Sequence, residues 1–564
     1  MKTKTAAESL IYTASAGLAL VLLNALTCQA RAKVDLTEQK IYSLSPSSRD
    51  MVRSLPEKVV VKAYLGNIPP EYSQKQQYIE NLLSEYAEAS NGKLTWEKID
   101  PWNKPELKDE LKKAGVSQIM LMSFKEDKRE QVPVYFTVQF GYLDKKEVWG
   151  PQQGFAMEGL EYDFTTRIKR LAFGKKKVGV TTGFGEPEQI QALSHPQIGL
   201  ADLYYVTPIK WNVTPKDIDT IDALVVNGPT EKVSEAAQYY LDQHLMKGKP
   251  VLFLIRGMRW QAGGGQNPQL AQMMQEEQPY LGTPAQHGLG ELLAHYGFEV
   301  ASNTVLDGRN SVPGAIPLGQ QALDTRVFFP LTQVMANGKH DVLEGMEFVP
   351  MPFISTVKLV GPLAEGKIEG GVVKSLLQTG PNAFTRADVI AVTRDMKLAP
   401  PENEHGPYTV GYSANGKFKS FFAGKPRPEG VDAPAAPAPD DENHEVSALP
   451  PGETVKESPV TARIIVLGGS EFAEDKMFAI MRYVGTDVYV NGFRALHNMV
   501  DWLAEESALI AVRGKQVERP LTGLDDGKRL VVKYGNLAGP PLFLVAFGIA
   551  YWRVRERRRR DIVI

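Results

Sequence analysis

A single cysteine, Cys28, is all that 564 residues carry, and it lies inside the first apolar run. No intrachain disulfide can form, and neither a cysteine metal cluster nor a redox CxxC pair exists. The eight histidines are scattered singly, with no HExxH among them, and each reads as a surface or packing residue. A Walker A sequence is missing too. Gly523-Leu524-Asp525-Asp526-Gly527-Lys528-Arg529 has the wrong spacing and no Ser or Thr after the lysine, so ATP hydrolysis by this chain is not expected. Neither sign of charge is in excess, with 64 basic and 66 acidic residues, so no overall field draws the chain to nucleic acid. Mean hydropathy is -0.24, too low for a transporter of many spans.

Weaker chemical signals do not build a site. Gly468-Gly469-Ser470-Glu471-Phe472 begins like a nucleophile elbow but lacks the closing glycine, and reads as a strand-to-helix turn. Gly263-Gly264-Gly265 lies in a glutamine-rich stretch and reads as a flexible loop, not a phosphate cradle. Glu186 and Glu188 form a carboxylate pair in one loop, suited to a cation but more simply solvated. The expectation is therefore no catalytic residue, no metal ligand and no cofactor, with the ligand-binding residues unassigned.

Two apolar stretches mark the ends. No charge occurs from residue 9 to residue 30, enough for a helix to cross a hydrocarbon core about 30 Å thick. Residues 534–552 form a second uncharged stretch, with Tyr551 and Trp552 at its exit and six arginines, Arg553, Arg555 and Arg557–Arg560, directly after it. Only Lys528, Arg529 and Lys533 precede that stretch, so the positive-inside bias puts the C-terminus in the cytoplasm. If both stretches span, the N-terminus is cytoplasmic as well and everything between them is exported. The alternative for the first stretch is a cleaved signal peptide, since Ala30-Arg31-Ala32 fits an A-x-A pattern. The run is longer than the 7–15 residues usual for a signal core.

The expected organisation follows: an N-terminal anchor over 1–34, an α/β domain over 35–175, a second over 176–520, a transmembrane helix at 534–552 and a cytoplasmic tail at 553–564. Ser45-Pro46 starts a helix ending near Pro56, and the β-branched run 59–65 is a strand. Tyr78, Leu82, Leu83 and Tyr86 recur at helical spacing, and 94–99, 119–124 and 132–140 read as strands. A β-α-β opening followed by a hairpin suggests a thioredoxin-like layer, with Gly66-Asn67-Ile68-Pro69-Pro70 where a redox version carries CxxC. In the second domain strands near 177–182, 222–227, 250–255 and 463–467 alternate with helices at 234–247, 290–296 and around Phe493, Leu496, Val500 and Leu503. That alternation implies a largely parallel, doubly covered sheet whose ligands favour the carboxyl ends of the strands, at 183–188, 227–230 and 256–259. Residues 425–460 are rich in Pro, Ala and acidic residues and interrupt this domain as a disordered excursion.

Several segments together resemble one family. Val34-Asp35-Leu36-Thr37-Glu38-Gln39-Lys40-Ile41-Tyr42-Ser43-Leu44-Ser45 resembles the segment after the first membrane helix of GldG-type proteins, auxiliary subunits of gliding-motility-associated ABC transporters. Residues 159–168 look like the helix closing that family's first domain, and Thr182-Gly183-Phe184-Gly185-Glu186-Pro187 is similar to a turn that carries His where Phe184 stands. The segments 466–472, 498–503 and 508–513 also look similar. The resemblance implies a Rossmann-like second domain akin to class I glutamine amidotransferases. Their nucleophilic Cys would fall at Ile255-Arg256-Gly257-Met258, where this chain has none.

It further implies a non-catalytic subunit in the bacterial inner membrane, two-pass, with both termini cytoplasmic and the bulk periplasmic. Its partners would be a separate permease and a separate cytoplasmic ATPase, and its exported domains would bind a substrate, an envelope component or a protein. The alternatives are a membrane-tethered envelope hydrolase or sugar-binding protein with a site unlike known motifs, and a purely structural scaffold.

Overall fold

A computed structural model of the chain describes residues 43–103, 108–113, 115–125, 128–150, 160–186, 200–202, 204–213, 215, 217–262, 280–318, 321–324, 326–334, 341–343, 346–392, 405–431, 454–474, 490–504, 548–550 and 553. Gln516–Ile564 is a unit of its own, and all described residues but the last four belong to Met1–Lys515. The apolar stretch 9–30 lies outside the described residues, as does 534–552 except for 548–550. Among the described residues no helix is long and apolar enough to cross a membrane.

The protein is a mixed α/β structure. Ser45 caps α1 (Pro46–Arg53): its backbone is extended, its Oγ accepts the Ser48 N–H at 3.2 Å, and Pro46 occupies the first turn, where no N–H is needed. β1 (Val59–Gly66) then runs through α2 (Ser73–Ala89) into the parallel β2 (Leu94–Ile99). The stripe Tyr78, Ile79, Leu82, Leu83 and Tyr86 is the buried face of α2. β4 (Lys128–Tyr142) lies antiparallel to β1 and pairs with both β3 (Ile119–Lys125) and β5 (Lys145–Trp149). α3 (Leu160–Phe173) closes this layer by inserting Phe164 edge-on against Phe140 and Trp149, at centroid distances of 5.1 and 5.4 Å. Each such ring pair adds about 0.5–1.5 kcal/mol to area burial.

A nine-stranded sheet follows. Its strands are β6 (Lys177–Thr182), β7 (Tyr205–Lys210), β8 (Ala223–Asn227), β9 (Val251–Leu254), β10 (Leu331–Val334), β11 (Phe348–Pro350), β12 (Glu369–Gln378), β13 (Thr409–Lys417) and β14 (Arg463–Leu467), in spatial order β11-β10-β12-β13-β14-β9-β8-β6-β7. From β14 to β7 every pairing is parallel, whereas from β11 to β14 every pairing is antiparallel. The expectation of a largely parallel sheet therefore holds for one half only. The reason is connectivity: β10 and β11 pair as neighbours, and the described residues between β10 and β13 include no α-helix to carry a parallel crossover.

The parallel strands are buried on both faces, which is why they read as continuous apolar runs. Val225, Leu252, Leu254, Ile465 and Leu467 meet Leu496, Met499 and Val500 of α6 (Val490–Leu503) on one face. On the other, Leu224, Val226, Phe253 and Val466 meet Leu241 and Leu245 of α4 (Glu235–Met246) and Leu292 of α5 (Gly290–His295).

The Pro/Ala/acidic excursion leaves and re-enters this sheet. β13 and β14, which precede and follow it, are antiparallel neighbours from Gly411↔Leu467 to Asn415↔Arg463. Residues 432–453 lie outside the described residues, but both roots are fixed on α4. Buried Asp242 accepts from Tyr296 Oη (2.7 Å), Ser420 Oγ (2.7 Å) and the Phe421 N–H (2.8 Å). Gln243 exchanges two hydrogen bonds with the Val455 backbone, at 2.7 and 3.1 Å, and Tyr239 Oη lies 2.9 Å from Thr454 Oγ1.

Candidate functional site

The five parallel strands have the spatial order β7-β6-β8-β9-β14, so the direction of winding reverses between β6 and β8. In open α/β sheets the crevice outside the strand ends at that reversal is where ligands bind. Here the two loops that would border it are bonded to one another. The Phe184 carbonyl accepts both the Thr230 N–H (3.0 Å) and the Glu231 N–H (2.9 Å). Thr230 Oγ1 donates to the Gly185 carbonyl at 2.9 Å, and the Asn227 N–H donates to Thr181 Oγ1 at 3.0 Å. Gly185 has φ +74°, and a Cβ there would meet Glu231 Cγ at 3.0 Å, so the close approach of the loops needs glycine.

Glu186 is part of the same closure. It is buried, its two carboxylate oxygens accepting the Phe184 N–H at 2.5 Å and Trp211 Nε1–H at 2.6 Å. Phe184 stacks edge-on against Trp211 with centroids 5.5 Å apart. The expectation of a solvated or cation-holding Glu186 is thus corrected: a carboxylate with two N–H donors is satisfied by the fold itself. Glu188 lies outside the described residues, as do Gly263–Gly265 and the segment 523–529.

At β9 the chain runs from four buried apolar residues through Ile255 into Arg256, the position where an amidotransferase-like fold would place its nucleophile. Arg256 is only 9% exposed and its charge is matched within the fold. Nε donates to Ser470 Oγ at 2.8 Å and lies 3.3 Å from Glu471 Oε1, while Nη2 pairs with Glu474. Ser470, at the turn after β14, donates in turn to Glu474 Oε1 at 2.9 Å. As expected, Gly468-Gly469-Ser470 leaves the strand into a helical turn, the 3₁₀ segment Glu471–Ala473.

The neighbouring backbone is pinned as well. The Gly257 N–H donates to Ser355 Oγ at 3.1 Å, and the Ser355 N–H to the Gly468 carbonyl at 2.8 Å. Among the described residues, the loops at 183–186, 227–230 and 256–257 are hydrogen-bonded to the chain's own groups. The sequence marks the Arg256 position but not its partners. The signal was there: a guanidinium directly after a buried strand demands carboxylates, and Glu471 and Glu474 follow the next buried strand.

Among the described residues no group of three or more His, Asp or Glu side chains is placed to hold a metal. Two titrating groups are displaced away from this edge. His244 on α4 is driven to about 3 by burial, with Lys249 adding repulsion. Lys169 on α3 is lowered to about 8 by burial and by Lys176, against the opposing pull of Asp501.

A mixed α/β protein whose described strand-end loops are bonded to one another and carry a buried ion cluster is the class that fold and site define. The model of the family described as "ABC-type uncharacterized transport system" matches residues 175–499, more than half of the chain, and the protein belongs to that family. Residues 38–140 match a further model, a domain of unknown function, DUF7088. No curated protein matches. Solved structures that match include the "mmIFT52 N-terminal domain", at 12% identity and a TM-score of 0.30, over 58% of this chain and 97% of that one.

Proposed function

We propose that the protein is a membrane-anchored, non-catalytic auxiliary subunit of an ABC transporter, of GldG type, working beside a separate permease and a separate cytoplasmic ATPase. The observation that carries the reading is the family match over 175–499, together with Arg256 and its carboxylates at the nucleophile position. An auxiliary subunit of a transport system needs no ATP site of its own, and the sequence has no Walker A motif. The strand order and the βα-turns support a class I glutamine-amidotransferase-like second domain, and β1-α2-β2 with β4, β5 and α3 supports a thioredoxin-like first domain without thiol chemistry. The stretches 9–30 and 534–552 serve as transmembrane helices, with the bulk of the chain on the periplasmic side of the inner membrane. There the exported domains bind a substrate, an envelope component or a protein through surfaces rather than through a strand-end pocket.

Purification of the intact chain from detergent-solubilised native membranes tests this. A permease and an ATPase accompany it if the reading is right, and their absence overturns it.

A further inference from the structure

α3 joins the first and the last described segments of Met1–Lys515. At its first turn Glu161 Oε1 accepts the Ser45 N–H at 2.8 Å, next to the start of the described chain. Just beyond its last turn Lys176 Nζ donates to the carbonyl of Ala504, directly after α6. Fourteen residues at 1.5 Å each make α3 about 21 Å long, so these two ends of the described chain lie along one short helix.

Around the Lys176–Ala504 contact, aromatic rings stand exposed among lysines. Phe173 is 51% and Tyr205 60% exposed. Lys175 Nζ lies 5.8 Å from the Tyr205 ring centroid and donates to the Ala201 carbonyl at 3.0 Å. Lys177, also exposed, sits opposite Tyr205 in the β6–β7 register. The patch is on the amino-terminal edge of the parallel strands, the opposite end from Arg256 and Ser470.

We infer that Phe173, Lys175, Lys176, Lys177 and Tyr205 form a surface that rests on anionic phospholipid headgroups, an inference that builds on the proposed membrane anchoring. Exposed rings with a polar or cationic neighbour prefer the interfacial layer, where the ring meets the acyl boundary. Lysines at an anionic surface are drawn to it within a Debye length of about 10 Å. The tether permits the contact. Residues 31–42, fully extended, reach at most about 43 Å, roughly twice the length of α3, so the patch stays within reach of the bilayer. On the other side the chain continues from Ala504 through Glu505 and Glu506 towards the apolar stretch 534–552. In this arrangement the closed strand-end edge points away from the membrane, towards the envelope.

The test uses the full chain carrying Cys28→Ser and one new cysteine, either Tyr205→Cys in the patch or Glu231→Cys on the far edge, labelled with an aromatic fluorophore. Each is reconstituted in phosphatidylcholine vesicles with or without phosphatidylglycerol, doped with a headgroup-nitroxide quencher. Quenching at 205 is expected to exceed that at 231 several-fold with phosphatidylglycerol, and to fall towards the 231 level without it, in high salt, or after Lys175→Glu and Lys177→Glu. Equal quenching at the two positions, or quenching at 205 that ignores lipid charge, overturns the inference. Flotation of the vesicles separates the two levels. A chain that floats without excess quenching at 205 refutes the patch alone, whereas one that does not float refutes the anchoring and the patch with it. Binding to single-stranded nucleic acid in place of lipid also counts against it.

Discussion

Arg256 Nε donates to Ser470 Oγ across 2.8 Å, tying the end of β9 to the end of β14. The same guanidinium faces Glu471, whose side chain is 1% exposed, so the three side chains stand or fall together. Arg256→Met leaves a buried carboxylate without its counter-charge and is expected to cost about 3–5 kcal/mol of stability, read by denaturant unfolding in detergent. Adding Glu471→Gln to Arg256→Met restores much of the loss. Arg256→Lys restores little, because an ammonium cannot serve Ser470, Glu471 and Glu474 with one planar fork. A cluster with a catalytic task would instead show activity changes without this pattern of loss and rescue.

Asp242 holds the outgoing root of the Pro/Ala/acidic excursion through Ser420 and Phe421, and ties it to Tyr296 beside α5. Removing its carboxylate by Asp242→Ala orphans those donors, each at about 1–3 kcal/mol. Limited proteolysis within 418–431 and 454–458 should then accelerate by more than tenfold while the β1–β4 layer stays protected. Uniform acceleration across the chain would mean that Asp242 supports the whole fold rather than the roots.

His244 supplies an acid-sensitive term. Its folded pKa, about 3, lies below the unfolded value of 6.5, so the unfolded chain binds the proton that the folded chain refuses. Stability is therefore full above about pH 6.5 and falls as pH drops towards 3, by up to about 5 kcal/mol at 1.36 kcal/mol per unit. His244→Phe should flatten the stability profile between pH 3 and 6.5. An unchanged slope in that variant would assign acid lability to other groups.

Topology gives a prediction independent of the fold. A reporter active only outside the cytoplasm should be active when fused near residue 300 and silent when fused after Ile564. The reverse pattern would overturn the orientation drawn from Arg553 and the arginines that follow it.

Much of the fold was legible because local chemistry and tertiary packing agree. Ser45-Pro46 caps a helix, the stripe from Tyr78 to Tyr86 is buried, and the apolar runs at 223–227, 251–254 and 463–467 are central strands. The antiparallel half of the large sheet was not legible. β12 exposes its first four residues and buries only Leu376 and Leu377, so it carries neither strict alternation nor a continuous apolar run. At the strand ends the positions of the loops were readable from Gly183, Gly185 and Gly228, whose positive φ values mark tight turns. What they hold was not, because Glu186 with Trp211, and Arg256 with Glu471, are pairings across 25 and 215 residues that no local pattern encodes.

The central claim, a non-catalytic subunit that works within a transporter, is tested most directly by native mass spectrometry of the intact chain purified from its own membranes. The account predicts a complex that releases a permease and an ATPase in fixed ratio, with ATP turnover following the complex and unaffected by Ser470→Ala. A chain recovered alone, with hydrolytic activity on envelope material that Ser470→Ala abolishes, would contradict it.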